Sequence, residues 1–248
     1  LNKKLELNNP SEAILKINEL ETWADEHGDN ELAGEFALLR YRRKTETTNM
    51  VVQEQKLKDL ITSAHQNKQE YLEADALNAL GRYYWDNFQK QEIAFDNYIA
   101  SYKIYSKFTP EEFPSKQEYL FVLGGAYLRY GDIDNAIKYL SEAAATKPGN
   151  SDTYYYTICN SLGMCYRKIL RFDSSDWYFR KTYNVALKNR DTIWLGISGG
   201  NIGTNYYLQK KYTEAVPLLE KDIEISLAHN VVENAAGSMH TLASIYFY

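Results

Sequence analysis

Histidine and cysteine are the side chains that could most readily support catalysis or metal binding in this chain of 248 residues. The four histidines, His27, His65, His229 and His240, show none of the spacings, such as His-x3-His, that would place two metal ligands on one helix face. No nucleophile, histidine and acid form a convincing catalytic set either. We therefore expect a protein that is not an enzyme, with no bound metal and no cofactor.

Two short motifs have the outline of ligand-binding loops but are better explained as parts of helices. Asp132-x-Asp134 begins like a calcium loop, yet the later Asp, Gly and Glu ligands are missing. Asp132 is expected to cap a helix instead. Gly199-Gly200-x-x-Gly203 has closely spaced glycines, but it lies inside a predicted helix rather than between a strand and a helix. Neither motif predicts a calcium or nucleotide site.

Charge and hydropathy argue against two further classes of function. With a net charge of −5, the chain has no overall attraction for nucleic acid, and its most basic run, at 40–44, is expected to be a solvated helix. No stretch of about 18 apolar residues is present, so we expect no membrane insertion by this segment. Cys159 and Cys165 lie about 9 Å apart along a predicted helix and are expected to be buried thiols rather than a disulfide.

A Leu/Ile-Gly-x-x-Tyr pattern recurs at a nearly constant interval and indicates a repeat protein. The steps from Gly81 to Gly124, Gly163, Gly203 and the weaker copy at Ala243 are 43, 39, 40 and 40 residues. About twelve residues after each glycine, a small and a large residue follow at i and i+4. These pairs are Ala94 and Tyr98, Ala136 and Leu140, Ser175 and Phe179, and Ala215 and Leu219.

Each repeat is therefore predicted to be two helices, a helix A with the glycine and a helix B with the small residue. A glycine inside a helix costs about 1 kcal/mol against alanine, and close contact between the two helix backbones would explain its presence. The predicted helices are near 10–27, 31–46, 51–66, 69–87, 91–107, 115–130, 133–146, 151–169, 173–189, 191–208, 213–229 and 231–248. Asp173 and Thr213 are expected to be caps, with Pro217 in the first turn after Thr213.

These motifs resemble the tetratricopeptide repeat, in which Leu-Gly-x2-Tyr is followed by Ala-x3-Phe and then Pro. Here the period is about 40 rather than 34 residues, the leading Trp is absent, and the Pro occurs once, as Pro148. The resemblance implies an all-α fold, a right-handed superhelical solenoid of antiparallel helix pairs with about twelve helices. We expect one domain over 1–248, with degenerate units at 1–68, four clear repeats at 69–230 and the first helix of a truncated repeat at 231–248.

The resemblance also selects residues on the inner wall, which the A helices line. In the family these lie three before, one after and four to five after the motif glycine. The same positions here are Asn78, Arg82, Trp85 and Asp86, then Phe121, Gly125, Leu128 and Arg129, then Asn160, Met164, Arg167 and Lys168, and finally Gly200, Thr204, Tyr207 and Leu208. We expect partner binding at Asn78, Arg82, Trp85, Asp86, Phe121, Arg129, Asn160, Arg167, Lys168 and Tyr207. The alternative is that these side chains are only solvated.

The expected partner is a protein or peptide ligand, because Asn can hydrogen-bond an extended backbone and Arg can clamp a carboxylate. The sequence leaves open whether the chain also forms a homodimer. The segment 189–203 resembles repeat units of bacterial sensor kinases and regulators. One hypothesis is therefore the sensor part of a bacterial signalling protein, which would be periplasmic. The alternatives are a stand-alone scaffold for complex assembly, or an intracellular regulator that binds a signal peptide, and these would be cytoplasmic. The apolar end at Tyr248 predicts a protein that continues further.

Overall fold

The computed structural model describes residues 10–42, 50–88, 90–146 and 152–247. Within these ranges the chain forms twelve helices and no strand, which confirms the all-α prediction. Pro148 lies outside them, and so do the side chains of the basic run at 40–44. The helices are α1 (Pro10–Glu26), α2 (Asn30–Arg42), α3 (Met50–Gln66), α4 (Glu70–Phe88), α5 (Gln91–Tyr105), α6 (Lys116–Tyr130), α7 (Ile133–Ala145), α8 (Asp152–Lys168), α9 (Phe172–Asn189), α10 (Thr192–Leu208), α11 (Tyr212–Ala228) and α12 (Val232–Tyr246).

The chain divides into two compact units, residues 1–119 and 120–248, here called unit one and unit two. In unit one, α1 packs on α2, α3 on α4, and α4 on α5. In unit two, each helix from α8 to α11 packs on the next, and α10 also contacts α8 and α12. Each unit is thus built of neighbouring helix pairs, while the prediction of one continuous domain over 1–248 stays a prediction.

The motif glycines lie where a helix A meets its helix B. A Cβ atom on Gly81 or Gly163 would lie 2.5 Å from a ring carbon of Tyr98 or Phe179, respectively. On the B side, the small residues Ala94 and Ser175 have no exposed surface. The repeated glycine therefore leaves room for the large side chain of helix B, as the spacing predicts.

Short turns with one left-handed residue connect several of the helices. Leu170 shows how they work, because its N–H donates to the carbonyl of Arg167 at 2.9 Å and the N–H of Arg171 donates to that of Tyr166 at 2.9 Å. These two bonds satisfy carbonyls that the helix end leaves open. The non-glycine residues with φ between 57° and 61° are Lys68, Leu170, Arg190, Lys210 and Asn230.

Two of the three predicted caps are wrong. Asp132 is an N-cap, and its Oδ1 accepts from the N–H of Asn135 at 3.1 Å. In contrast, α9 begins at Phe172 and α11 at Tyr212, one residue before Asp173 and Thr213, and no side chain caps either helix. Pro217 consequently lies inside α11. The N-cap residues of these two helices are Arg171 and Lys211, whose side chains have no hydrogen-bond acceptor, so the helices start without a side-chain cap.

Cys159 and Cys165 are buried in α8 and free, which confirms the prediction of two thiols. Burial raises the pKa of both, that of Cys165 to about 11. In the described part of the chain, none of the helices has the length and apolar character that a membrane span needs. No group of His, Cys, Asp and Glu in those same ranges could hold a metal ion.

Candidate functional site

The four predicted site residues of unit one differ in their availability to a partner. Asn78 is buried, with only 2% of its surface exposed. Arg82 pairs with the carboxylate of Glu118, so its charge is already compensated within the unit. Trp85 is half-buried, with its ring centroid 6.4 Å from that of Tyr98, and Asp86 is exposed. The role of these four residues in partner binding stays a prediction.

Four of the predicted residues of unit two are half-buried or exposed. Phe121 is half-buried, with its ring 6.4 Å from that of Tyr154. Tyr207 lies against the ring of Tyr212, at 6.1 Å between centroids. Arg129 and Lys168 are exposed at the ends of their helices. Their role in partner binding stays a prediction.

The remaining two predicted residues, Asn160 and Arg167, are joined in one network through Asn201. Nη2 of Arg167 donates to Oδ1 of Asn201 at 3.1 Å, and Nη1 donates to its main-chain carbonyl at 3.4 Å. Nδ2 of Asn201 in turn donates to Oδ1 of Asn160 at 2.9 Å. Asn160 and Arg167 are seven residues apart on α8, so they share one helix face. The network therefore fixes the Arg167 guanidinium against α10.

The environment of Arg167 is unusual for a cation. Its guanidinium carbon lies 5.3 Å from the ring centre of Phe179, a distance typical of a cation–π contact. Burial lowers the pKa of Arg167, yet an arginine keeps its proton in proteins. Among the described residues, no carboxylate forms an ion pair with it. Arg167 is thus a preorganised positive charge bonded only to neutral acceptors.

A cavity of about 260 Å³ opens beside this network, within unit two. Arg167 of α8, Asn201 and Thr204 of α10, and Asn234 and Ser238 of α12 contribute to its wall. Asp222 of α11 also lines it. The cavity therefore extends from α8 across α10 to α12, and its lining is mostly polar.

Asp222 is a buried carboxylate, with 3% of its surface exposed. Its Oδ1 accepts from the hydroxyl of Ser226 at 3.0 Å, and its Oδ2 accepts from that of Ser238 at 2.6 Å. Burial raises the pKa of Asp222, and the two hydroxyl hydrogen bonds oppose that rise. Gly200 of α10 makes room for it, because a Cβ there would collide with the carboxylate. A Cβ on Gly196 would meet Ile225 at 3.0 Å and Oδ1 of Asp222 at 3.1 Å.

Sequence reasoning missed both Asn201 and Asp222. A signal for Asp222 was nevertheless present. It stands seven residues after the small residue of its helix B, where the three preceding repeats have Ser101, Ala143 and Thr182. These three are buried, and so is Asp222. A charged residue at a position that is otherwise small and buried, together with Gly200 on the facing helix A, indicates a local specialisation of this repeat.

Comparison with known proteins agrees with this architecture. Residues 198–230, which comprise most of α10, the following turn and α11, match the family model of the tetratricopeptide repeat. The chain has the tetratricopeptide-repeat fold. The predicted helix pairs are thereby confirmed, whereas the resemblance to bacterial sensor kinases stays a prediction. No curated protein matches the sequence significantly.

Three solved structures illustrate how widely this tetratricopeptide-repeat fold is shared. BtubC (BKLC) from P. vanneervenii is similar with a TM-score of 0.71 and 16% identity, over 90% of this chain and 93% of BtubC. The apo form of RapI is similar with a TM-score of 0.67 and 15% identity, over 95% of this chain and 68% of RapI. YrrB, described as a TPR protein with an unusual peptide-binding site, is similar with a TM-score of 0.61 and 17% identity, over 89% of this chain and 96% of YrrB. At these identities the likeness concerns the fold alone.

Proposed function

We propose that this tetratricopeptide-repeat chain is a non-catalytic module that binds a peptide or an extended protein segment, and that unit two carries the contact surface on α8, α10 and α12. Repeats of this fold are in general protein-interaction scaffolds, and YrrB is a protein of the same fold with a peptide-binding site. The observation that carries the proposal is the Arg167–Asn201–Asn160 network beside an open polar cavity.

The network suits a polypeptide ligand for two reasons. A guanidinium has five N–H donors in a fixed fork, and the bonds to Asn201 leave donors for a carbonyl or carboxylate of the ligand. The amide of Asn201 holds Arg167 in place, so little side-chain entropy is lost when a ligand binds. In unit one, the charge of Arg82 is already compensated by Glu118.

A random peptide library displayed on phage, selected on the purified chain, tests this proposal. We expect enriched peptides whose synthetic forms bind Arg167→Gln at least about tenfold more weakly than wild type, a change equal to about 1.4 kcal/mol. Arg180→Gln is the matched control. Arg180 is an exposed arginine on α9 in the same unit, where it donates to the Tyr206 hydroxyl at 2.9 Å. Equal affinity of wild type and Arg167→Gln, at unchanged circular dichroism, would contradict the proposal.

The wider context follows from the sequence. The resemblance of 189–203 to repeat units of bacterial sensor kinases supports a sensor or interaction part of a bacterial signalling protein, with a stand-alone scaffold as the alternative. Sequencing the gene on both sides of the codons for Leu1 and Tyr248 separates them. A kinase or DNA-binding domain encoded there supports signalling, whereas further repeats alone support a scaffold.

A further inference from the structure

The cavity in unit two has charges of opposite sign on its two sides. Arg167 is on α8, and Asp222 is on α11. Each is bonded only to neutral groups, the amide and carbonyl of Asn201 in one case and the hydroxyls of Ser226 and Ser238 in the other. In the residues that the structure describes, neither of them forms an ion pair. The fold thus keeps two opposite charges on one cavity without letting them neutralise each other.

Keeping a carboxylate buried in this way has a cost that the repeat does not require. Burial of an unpaired charge is unfavourable, and the preceding repeats have small uncharged residues at the same position. Gly200 makes space for the Asp222 carboxylate, although a glycine weakens its helix relative to alanine. One glycine and two serines therefore serve one acid, which indicates that the acid has a use at the cavity.

The remaining lining strengthens this polarity. Glu233, exposed near the start of α12, adds a second negative charge on the same cavity as Asp222. Asn201 and Thr204 line it from α10, which lies between α8 and α12. A volume of about 260 Å³ is at or below the small end of the roughly 300–1,000 Å³ typical of small-molecule pockets. The site therefore suits a small polar ligand with a positive and a negative end.

We infer that this cavity binds a small zwitterion, with the ligand ammonium on the carboxylate of Asp222 and the ligand carboxylate on the guanidinium of Arg167. Each end then exchanges a neutral environment for a charge-assisted hydrogen bond, which is shorter and stronger than a neutral one. Free amino acids and very short peptides share this chemistry. The inference deepens the proposed peptide-binding role and rests on it, because both use Arg167 and the same surface.

Calorimetric titration of the whole chain with matched ligands tests the inference. The panel consists of L-alanine, γ-aminobutyrate, Gly-Gly and Gly-Gly-Gly, together with N-acetyl-Gly-Gly and Gly-Gly amide, which each lack one charge. We expect at least one zwitterion to bind, and each singly charged form of Gly-Gly to bind at least about tenfold more weakly than Gly-Gly itself if the peptides are the ligands. If alanine is the ligand, ethylamine and propionate are the singly charged controls, and if γ-aminobutyrate is the ligand, propylamine and butyrate are. The ranking by size distinguishes a free amino acid from a short peptide.

Three variants connect the binding to the cavity. Asp222→Asn should weaken the zwitterion at least about tenfold and leave the binding of the acid-only form unchanged. Glu220→Gln, an exposed acid on the same helix, is its control and should bind as wild type does. Gly237→Leu should abolish binding by filling the cavity, because Gly237 lines the cavity and a Cβ there meets no atom within 4 Å.

The outcomes separate this inference from the proposed function. Peptides captured from the phage library without binding of any zwitterion would overturn the inference and leave the proposed function standing. Acid-only forms that bind as tightly as zwitterions would overturn it as well, because Asp222 would then contribute nothing. The inference would be established if a zwitterion binds and both Asp222→Asn and Gly237→Leu remove that binding with unchanged circular dichroism. This holds even if the phage library yields no binding peptide.

Discussion

Replacing Gly163 by alanine should destabilise unit two, whereas the same replacement at Gly125 should stabilise it. Alanine gains about 1 kcal/mol over glycine inside a helix, and both residues lie in helices of that unit. A Cβ on Gly125 meets no atom within 4 Å, so the full gain should be seen there. A Cβ on Gly163 would lie 2.5, 2.7 and 2.8 Å from three ring atoms of Phe179, which has no exposed surface.

Overpacking a core costs about 1–3 kcal/mol, and three close ring contacts favour the upper part of that range. After subtraction of the helix gain, Gly163→Ala should lose roughly 1–2 kcal/mol of unfolding free energy, while Gly125→Ala should gain about 1 kcal/mol. Urea unfolding followed by circular dichroism, with linear extrapolation, measures both. Phe179→Leu should relieve part of the clash. The double variant Gly163→Ala with Phe179→Leu should therefore lose less unfolding free energy than the two single variants lose together. A Gly163→Ala variant as stable as wild type would refute the steric explanation of the repeat.

Three further predictions concern the turn, the buried acid and the thiols. Leu170→Gly should raise stability by about 1 kcal/mol, because Leu170 has φ 59° and is 69% exposed; an unchanged urea midpoint would contradict this. Burial raises the pKa of Asp222, so the folded state holds that proton more tightly than the unfolded state. Wild type should therefore lose stability relative to Asp222→Asn as pH rises from below the ordinary aspartate pKa through the raised pKa. If the difference in unfolding free energy between the two proteins does not depend on pH, the prediction is wrong. Cys159 and Cys165, whose pKa values burial raises, should react slowly with a thiol reagent in native protein and rapidly in urea, and fast native labelling would show that α8 opens.

The spacing of glycine and small residues was sufficient to predict the helix pairs. Gly81 and Ala94 are thirteen residues apart on successive helices, and both are small for the same local reason, the approach of two backbones. Helix starts were less predictable. Asp173 and Thr213 are good caps in isolation, but those helices begin one residue earlier, directly after Arg171 and Lys211.

The candidate site was predictable only in part, because its chemistry depends on pairs of residues from different helices. The spacing placed Asn160 and Arg167 on one helix face, but it could not show that Asn201, 34 residues after Arg167, joins them. In the same way, Arg82 was expected to face a ligand, whereas it pairs with Glu118 on another helix. A single sequence indicates which faces are polar and leaves open which partner each polar group will meet.

The left-handed turns also bear on how such a chain could change over evolutionary time. Five residues of four types, four of them lysine, arginine or leucine, adopt φ values within 4° of one another at these junctions. These junctions therefore accept several kinds of side chain and share one local backbone conformation. Duplication or loss of a stretch between two junctions would rejoin the chain with an intact connection. A specialised segment such as the one with Asp222 could then be gained, copied or exchanged as a cassette, without redesign of the helices on either side.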